Sequence, residues 1–275
     1  MNTRLSKEDQ AMIKEAKGNK VSGPIYSEDG LRLLKVLGNP EFVEVEDGVK
    51  AICDEAFQGL YNLHDVVLPA SVTDLGTRAF ASCIKLFKIT IPGIEFIGTE
   101  SFAHCENLKE IAFPETLGKI RKAAFADCKA LEEINIPSHM KIIDKSAFRS
   151  SGLKSLNIVI SEDCKCWIFY KAFASCKHLE SVYLNKKVII MDCMAFAGCT
   201  SLKTIEFENP SLTGLIGETD LIAEINATML IGCTSLEKII VPKNKYNHYP
   251  DFNIQGYESA QFETRDFNSL VTPKE

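Results

Sequence analysis

A ladder of phenylalanines, most of them in Ala-Phe dipeptides, runs through this chain and constrains its fold more than any other feature. The anchors, with one leucine in the same role, are Phe57, Phe80, Phe102, Phe125, Phe148, Phe173, Phe196 and Leu230. Successive anchors lie 23, 22, 23, 23, 25, 23 and 34 residues apart. A unit of this length cannot bury its own apolar side chains. The ladder therefore predicts a solenoid in which each coil packs on the next.

Further columns keep a constant distance from each anchor. Five residues before it the chain has Ile52, Leu75, Ile97, Ile120, Ile143, Ile168, Met191 and Ile225. Nine and eleven residues after it come apolar pairs such as Ile89/Ile91 and Val182/Leu184. A period of two is typical of a strand that buries alternate side chains. We therefore expect one short parallel strand per repeat, with a short helix, helical turn or turn as the return arm.

The unit at 120–137, which reads IRKAAFADCKALEEINIP, resembles the BspA-like class of leucine-rich repeats. The resemblance covers roughly residues 42 to 242. It implies an α/β repeat solenoid, a right-handed superhelix with one short parallel strand per repeat and short helical or turn return arms. Proteins of this class are commonly surface or secreted binding proteins of bacteria and some protozoa, so the resemblance also implies adhesion or host contact.

Three segments follow from the pattern. Residues 1–41 are expected to form an N-terminal segment and a hairpin cap, because Asp29-Gly30 is a hairpin turn signal between two apolar runs. Residues 1–20 predict a short helix or a frayed tail. Residues 42–242 predict the solenoid of about eight repeats, with insertions near 161–167 and 208–224. Residues 243–275 lose the pattern and are expected to be a C-terminal cap or tail.

The charge and hydropathy of the chain limit the kinds of partner that it can have. The chain has 31 Lys and Arg against 37 Asp and Glu, a net charge of −6, which argues against nucleic acid as a partner. We expect no membrane span, because no apolar run has the required length. The N-terminus lacks the apolar stretch of a secretory signal, which is typical of a cytoplasmic protein. The family resemblance implies a secreted or cell-surface location if a signal was trimmed.

The sequence contains no motif typical of a catalytic site. It contains no nucleophile elbow, phosphate loop or His-Glu-x-x-His, so we expect no enzyme, no cofactor and no metal site. Six cysteines fall three residues after an anchor and are expected to be buried, reduced thiols. Cys164 and Cys166 form a Cys-x-Cys pair that is either a plain loop, the favoured interpretation, or part of a metal or redox site.

The exposed side of the parallel strands is the candidate binding face. Residues seven, eight and ten after the anchors should line it, with a shift of one residue in the fifth repeat, whose turn is one residue short. Ten of them are candidate contacts: Val67, Phe87, Lys88, Thr90, Lys109, Asn135, Asn157, Tyr183, Glu206 and Ile240. We expect this face to bind a protein partner of unknown identity. A carbohydrate- or matrix-binding surface protein remains an alternative, for which an aromatic cluster on one face would be the distinguishing feature. An architectural spacer is a further alternative.

Overall fold

The computed structural model describes residues 2–191, 194–208, 229–242 and 260–265. These residues form a solenoid of stacked coils with little helix. Each regular coil contributes one strand to each of two sheets, and the inward side chains of both sheets share one apolar core. The repeat solenoid predicted from the anchor ladder is confirmed.

The first sheet, here called the strand-face sheet, contains the strands predicted from the paired apolar positions. It consists of two separate groups of strands. One group is β3 (Phe42–Glu44), β5 (Asp65–Val67), β7 (Lys88–Thr90) and β9 (Glu110–Ala112). The other is β12 (Ser155–Ile158), β14 (Ser181–Leu184), β16 (Thr204–Phe207), β17 (Lys238–Pro242) and β18 (Gln261–Arg265). All pairings are parallel, and residues 133–136 between the two groups are not in a strand.

The second sheet lies on the other side of the core and was not predicted from the sequence. It runs through β1 (Gly23–Tyr26), β2 (Arg32–Leu37), β4 (Ala51–Ile52), β6 (Asp74–Leu75), β8 (Phe96–Ile97), β10 (Lys119–Ile120), β11 (Ile142–Ile143), β13 (Cys166–Ile168) and β15 (Val188–Ile190). Most of its strands are only two or three residues long. The return arm is therefore a short strand followed by turns, which is the turn alternative rather than the helical one.

The turns of the return arm depend on left-handed backbone on both sides of each anchor. Around Phe102, for example, Glu100 has φ 55° and His104 has φ 60°. L-residues adopt this region at a cost, so the surrounding contacts must hold it. Here the Phe102 amide donates to Ala124 O at 2.8 Å, and the His104 amide donates to Ala126 O at 2.9 Å. Each turn is thus fixed by the next coil.

The anchors form a continuous stack of aromatic rings through the core. Neighbouring ring centroids from Phe57 to Phe196 are 4.4–5.5 Å apart, with planes within 17° of parallel. All seven phenylalanines are fully buried. Because each ring contacts the next coil rather than its own, the stack joins the coils end to end.

The cysteine column runs beside the ring stack. Each column thiol donates to the anchor carbonyl of the preceding coil, with Sγ–O distances of 3.1–3.2 Å. These side chains are fully buried, as expected from the column. Burial raises the pKa of the Cys83 thiol to about 12 and that of Cys105 well above its ordinary value. The column cysteines are free, and their thiols pack as small apolar groups.

A helix and a hairpin cover the first coil. Helix α1 (Lys7–Gly18) begins with a capping box in which the Ser6 side chain and the Asp9 side chain each accept the other's backbone N–H. Asp9 also binds the Arg32 guanidinium through two contacts of 2.9 Å. β1 and β2 form the antiparallel hairpin at the expected position. β2 also pairs in parallel with β4 and so connects the hairpin to the rest of the second sheet. Ile13 packs with Leu34 in a small cluster beneath the helix.

Two details of the sequence pattern differ from the structure. Ile190, not Met191, pairs with Ile168 and lies in the core, so Met191 is 41% exposed. Part of the predicted insertion at 161–167 forms β13, since Cys166 and Trp167 lie in that strand. The insertion predicted at 208–224, apart from Glu208, and most of 243–275 lie outside the described residues. The division into three segments remains a prediction.

Candidate binding face

Nine of the ten candidate contacts are at least partly accessible on the outer side of the strand-face sheet. Val67 and Phe87 are 48% and 47% exposed. Lys88, Thr90, Lys109, Asn135 and Asn157 are also exposed, whereas Tyr183 and Glu206 are half-buried. Ile240 is only 3% exposed, so the prediction that it lines the exposed face is wrong. Its strand lies between β16 and β18, and β18 was not predicted.

The first group of strands presents three exposed apolar side chains. Phe42 is 54% exposed and pairs in register with Asp65, beside the strand that carries Val67. Phe87, which immediately precedes β7, is exposed to a similar extent. Lys88 and Glu110 on neighbouring strands form an ion pair of 2.8 Å that is open to solvent and contributes little to stability. This part of the face offers apolar contact area within a polar surface.

The second group of strands aligns the remaining candidates in one row. Asn157, Tyr183, Glu206 and Ile240 are successive partners in register. Glu206 is held by Arg265 at 2.6 Å, a residue of β18 that sequence reasoning missed because it lies in the segment without repeats. Burial, together with the carboxylate of Glu208 that accepts the Tyr183 hydroxyl, raises the pKa of Tyr183. Tyr183 and Glu206 therefore already have a hydrogen-bond or ion-pair partner within the protein.

The two groups of strands are separated by a break at residues 133–136. A groove of about 610 Å³ lies between β7, β9 and residues 132–135. A second groove of about 320 Å³ lies on the other side of the segment, beside β12 and Val159. Both grooves are lined by Glu133, Ile134 and Asn135. The break therefore leaves two open grooves in the middle of the candidate face.

The core reaches the surface at this break. Four side chains at positions that are buried in the other coils are only partly buried here: Ile111, Phe113, Ile134 and Ile136. Their counterparts Ile89 and Val182 are 1% and 2% exposed. Repeat four matches every column of the sequence pattern, so nothing in it signals the break. The next coil, however, is one residue short in its turn, and Gly152 there lies so close that a Cβ would be 2.0 Å from Lys129 O.

The remaining histidine, cysteine and acidic side chains of the described residues do not form a cluster suited to a metal ion. Cys166 is buried, and Cys164 packs against the core. His178, the histidine nearest to them in sequence, is exposed on a turn. Among the described residues, no helix has the length and apolar character needed to cross a membrane.

Comparison with known families gives a match over most of the chain. The sequence profile described as BspA type Leucine rich repeat region matches residues 38–154 and 167–248, in 6 copies. A comparison with curated proteins gives no match.

Several solved structures are similar. A leucine-rich repeat protein from Bacteroides ovatus is 21% identical over 89% of this chain and 78% of its own, with a TM-score of 0.48. A leucine rich cell surface protein from Faecalibacterium prausnitzii is 18% identical over 90% and 93%, with a TM-score of 0.43. The pneumococcal vaccine antigen PcpA is 16% identical over 82% and 68%, with a TM-score of 0.48. At these identities the likeness concerns the fold alone.

Proposed function

We propose that this chain, which belongs to the BspA-type leucine-rich repeat family, is a non-enzymatic binding protein that presents its strand-face sheet to a protein partner. Adhesion and host contact are the kinds of binding that the family resemblance favours. The proposal concerns the outer side of the strand-face sheet, from Phe42 to Glu206.

The observation that carries the proposal is the break at 133–136. Protein interfaces combine an apolar centre with a polar, solvent-exposed rim. At the break, Ile111 and Ile134 provide partly exposed apolar surface, and the exposed side chains of Thr90, Asn135 and Asn157 surround it. Grooves on both sides of the segment give a partner side chain somewhere to insert. Energetically important contacts concentrate in such central pockets.

A display experiment tests this function even though the partner is unidentified. Peptides selected from a phage-displayed random library against the intact protein should lose binding to an Asn135→Arg variant by about tenfold or more, because the new side chain fills the break. An Asn19→Arg variant is the matched control, since it places the same side chain at the exposed C-terminal end of helix α1, away from the strand-face sheet. Peptides that bind the Asn135→Arg variant as well as the unchanged protein would contradict the proposal.

The carbohydrate-binding alternative is separated by the same pair of variants. The unchanged protein and both variants are applied to an array of immobilised glycans. Glycan binding that is lost in Asn135→Arg and kept in Asn19→Arg, with no peptide selected, would assign the strand face to a carbohydrate instead.

A further inference from the structure

The outer side of the second sheet carries an apolar stripe. Ile142, Trp167 and Ile189 are successive partners in register on β11, β13 and β15. Phe169 and Met191 follow two residues after Trp167 and Ile189. Their amides continue the ladder beyond the strand ends by donating to Ile143 O and Ile168 O, each at 2.9 Å, so alternation places them on the same side. Met191 is 41% exposed and the other four are half-buried. Aromatic and aliphatic side chains are therefore grouped on this surface.

Lysines border this apolar stripe at both ends of the strands. Lys141 and Lys165 immediately precede β11 and β13. Lys122 and Lys145 lie two residues after the ends of β10 and β11, at the other end of the strands. Lys119 lies in the row itself, as the partner of Ile142. Among the described residues, none of these five lysines makes an ion pair, although many lysines elsewhere on the solenoid do.

Acidic residues on this surface are fewer than the lysines: Glu95, which is exposed and immediately precedes β8, Asp144, Glu162 and Asp163. Asp144 accepts the Lys145 backbone N–H, and Glu162 is occupied by Lys186 and Lys187. Asp163 is exposed beside the stripe. Since the whole chain has a net charge of −6, the group of unpaired lysines is a local reversal of charge. Such segregation favours a partner of the opposite sign.

We propose that this surface, defined by Ile142, Trp167, Phe169, Ile189 and Met191 with the lysines beside them, binds an acidic amphipathic helix of a protein partner. The row that continues through Lys119 to Phe96 spans four strand spacings, about 19 Å at roughly 4.8 Å each. That length matches about 13 residues of α-helix at 1.5 Å per residue. An apolar stripe with lysines on both sides complements a helix whose apolar face is bordered by Asp and Glu on both sides.

The shape of the surface favours a helix over a lipid bilayer. Trp167, Phe169 and the two isoleucines are half-buried in the sheet rather than protruding from it. A helix lays its own side chains into such a surface, whereas interfacial membrane binding requires apolar side chains that reach into the acyl boundary. Tryptophan is also among the residues that dominate protein interfaces. The proposed surface is separate from the strand face, so its failure leaves the proposed function unaffected.

Trp167 makes the test specific, because it is the one tryptophan in the chain. The probe is a synthetic peptide of about 14 residues with leucines along one helical face and glutamates on both sides of them. Titration into the full-length protein should change Trp167 emission saturably. The same peptide with lysines in place of the glutamates should produce no saturable change, and raised salt should weaken the glutamate peptide.

Charge reversal on the protein completes the experiment. A Lys141→Glu/Lys145→Glu variant should bind the glutamate peptide at least about tenfold more weakly. Lys88→Glu/Lys109→Glu, which reverses two charges on the strand face, should bind it as the unchanged protein does. Far-UV circular dichroism checks that both variants remain folded.

Three results would overturn the proposal. The first is no saturable response to the glutamate peptide. The second is an equal response to the lysine peptide. The third is a change of Trp167 emission on adding phosphatidylserine vesicles or heparin but not the glutamate peptide, which would assign the lysines to a membrane surface or an anionic polysaccharide.

Discussion

Replacing Phe102 by leucine separates the stacking of aromatic rings from simple apolar burial. The Phe102 ring lies 5.3 Å from Phe80 and 5.2 Å from Phe125, with planes 3° and 4° from parallel. Phe57, at the start of the stack, has one ring partner among the described residues, Phe80 at 4.4 Å. Phe57 and Phe102 are both 0% exposed. Phe57→Leu is therefore a matched control that loses one stacked pair instead of two.

The difference in the free energy of unfolding between the two variants follows from the number of stacked ring pairs that each one loses. Leucine is smaller than phenylalanine, so both variants also lose packing in the core, and we expect this loss to be similar at the two positions because both rings are fully buried. A stacked pair contributes about 0.5–1.5 kcal/mol beyond burial. We therefore expect Phe102→Leu to lower the free energy of unfolding by about 0.5–1.5 kcal/mol more than Phe57→Leu does.

Urea unfolding followed by far-UV circular dichroism measures this difference. The slope of the transition should stay the same in both variants, so that the midpoints report the change in stability. Equal losses in the two variants, or a larger loss in Phe57→Leu, would show that the stacked rings add nothing beyond their burial.

Three further predictions concern the break, the N-terminal helix and the thiols. In hydrogen-exchange measurements, the Ile134 amide should exchange faster than that of Ile89, because Ile134 lies outside the parallel ladders; equal protection would contradict the break. Burial opposes ionisation of Asp9, but hydrogen bonds from Ser6 and Arg32 outweigh it and lower the pKa of the carboxyl below 3.8. The ionised Asp9 carboxylate should therefore stabilise the protein above pH 3.8, and this contribution should be lost as the pH falls through the lower pKa of Asp9 in the folded protein. In urea titrations at different pH values, an Asp9→Asn variant should lack this part of the acid dependence. The Cys105 thiol should react with a thiol reagent only after unfolding without reductant, because burial raises its pKa and blocks access; rapid labelling of the native protein at this residue would refute the buried column.

The coils could be predicted from the sequence because their core positions repeat at fixed distances from each anchor. The strands of the strand-face sheet show a period of two, as at Ile89 and Ile91. The second sheet was missed because a strand such as β6 or β10 has two residues, too few to display any period. Met191 was placed in the column five residues before the anchor for a related reason, since counting back from Phe196 cannot detect a one-residue shift.

The candidate site was predicted less completely than the fold. The position of the exposed rows follows from alternation along each strand, which correctly placed Val67 and Asn157 on the outside. Ile240 fails because its burial depends on its position between β16 and β18, and β18 comes from a segment with no repeat. The break at 133–136 depends on how neighbouring coils stack, which no single repeat records. The apolar stripe around Trp167 lies on a sheet that the pattern did not reveal.

The ring stack also determines how a chain of this kind can gain or lose length during evolution. Duplication or loss of one whole coil, about 23 residues, leaves every remaining phenylalanine facing another phenylalanine. A change of a single residue must be absorbed within one turn. Where this has happened, at Ser151-Gly152, only a residue without a Cβ fits against Lys129 O. Lineages of such proteins should therefore differ mostly by whole coils, and isolated deletions should be marked by a glycine pressed against the preceding coil.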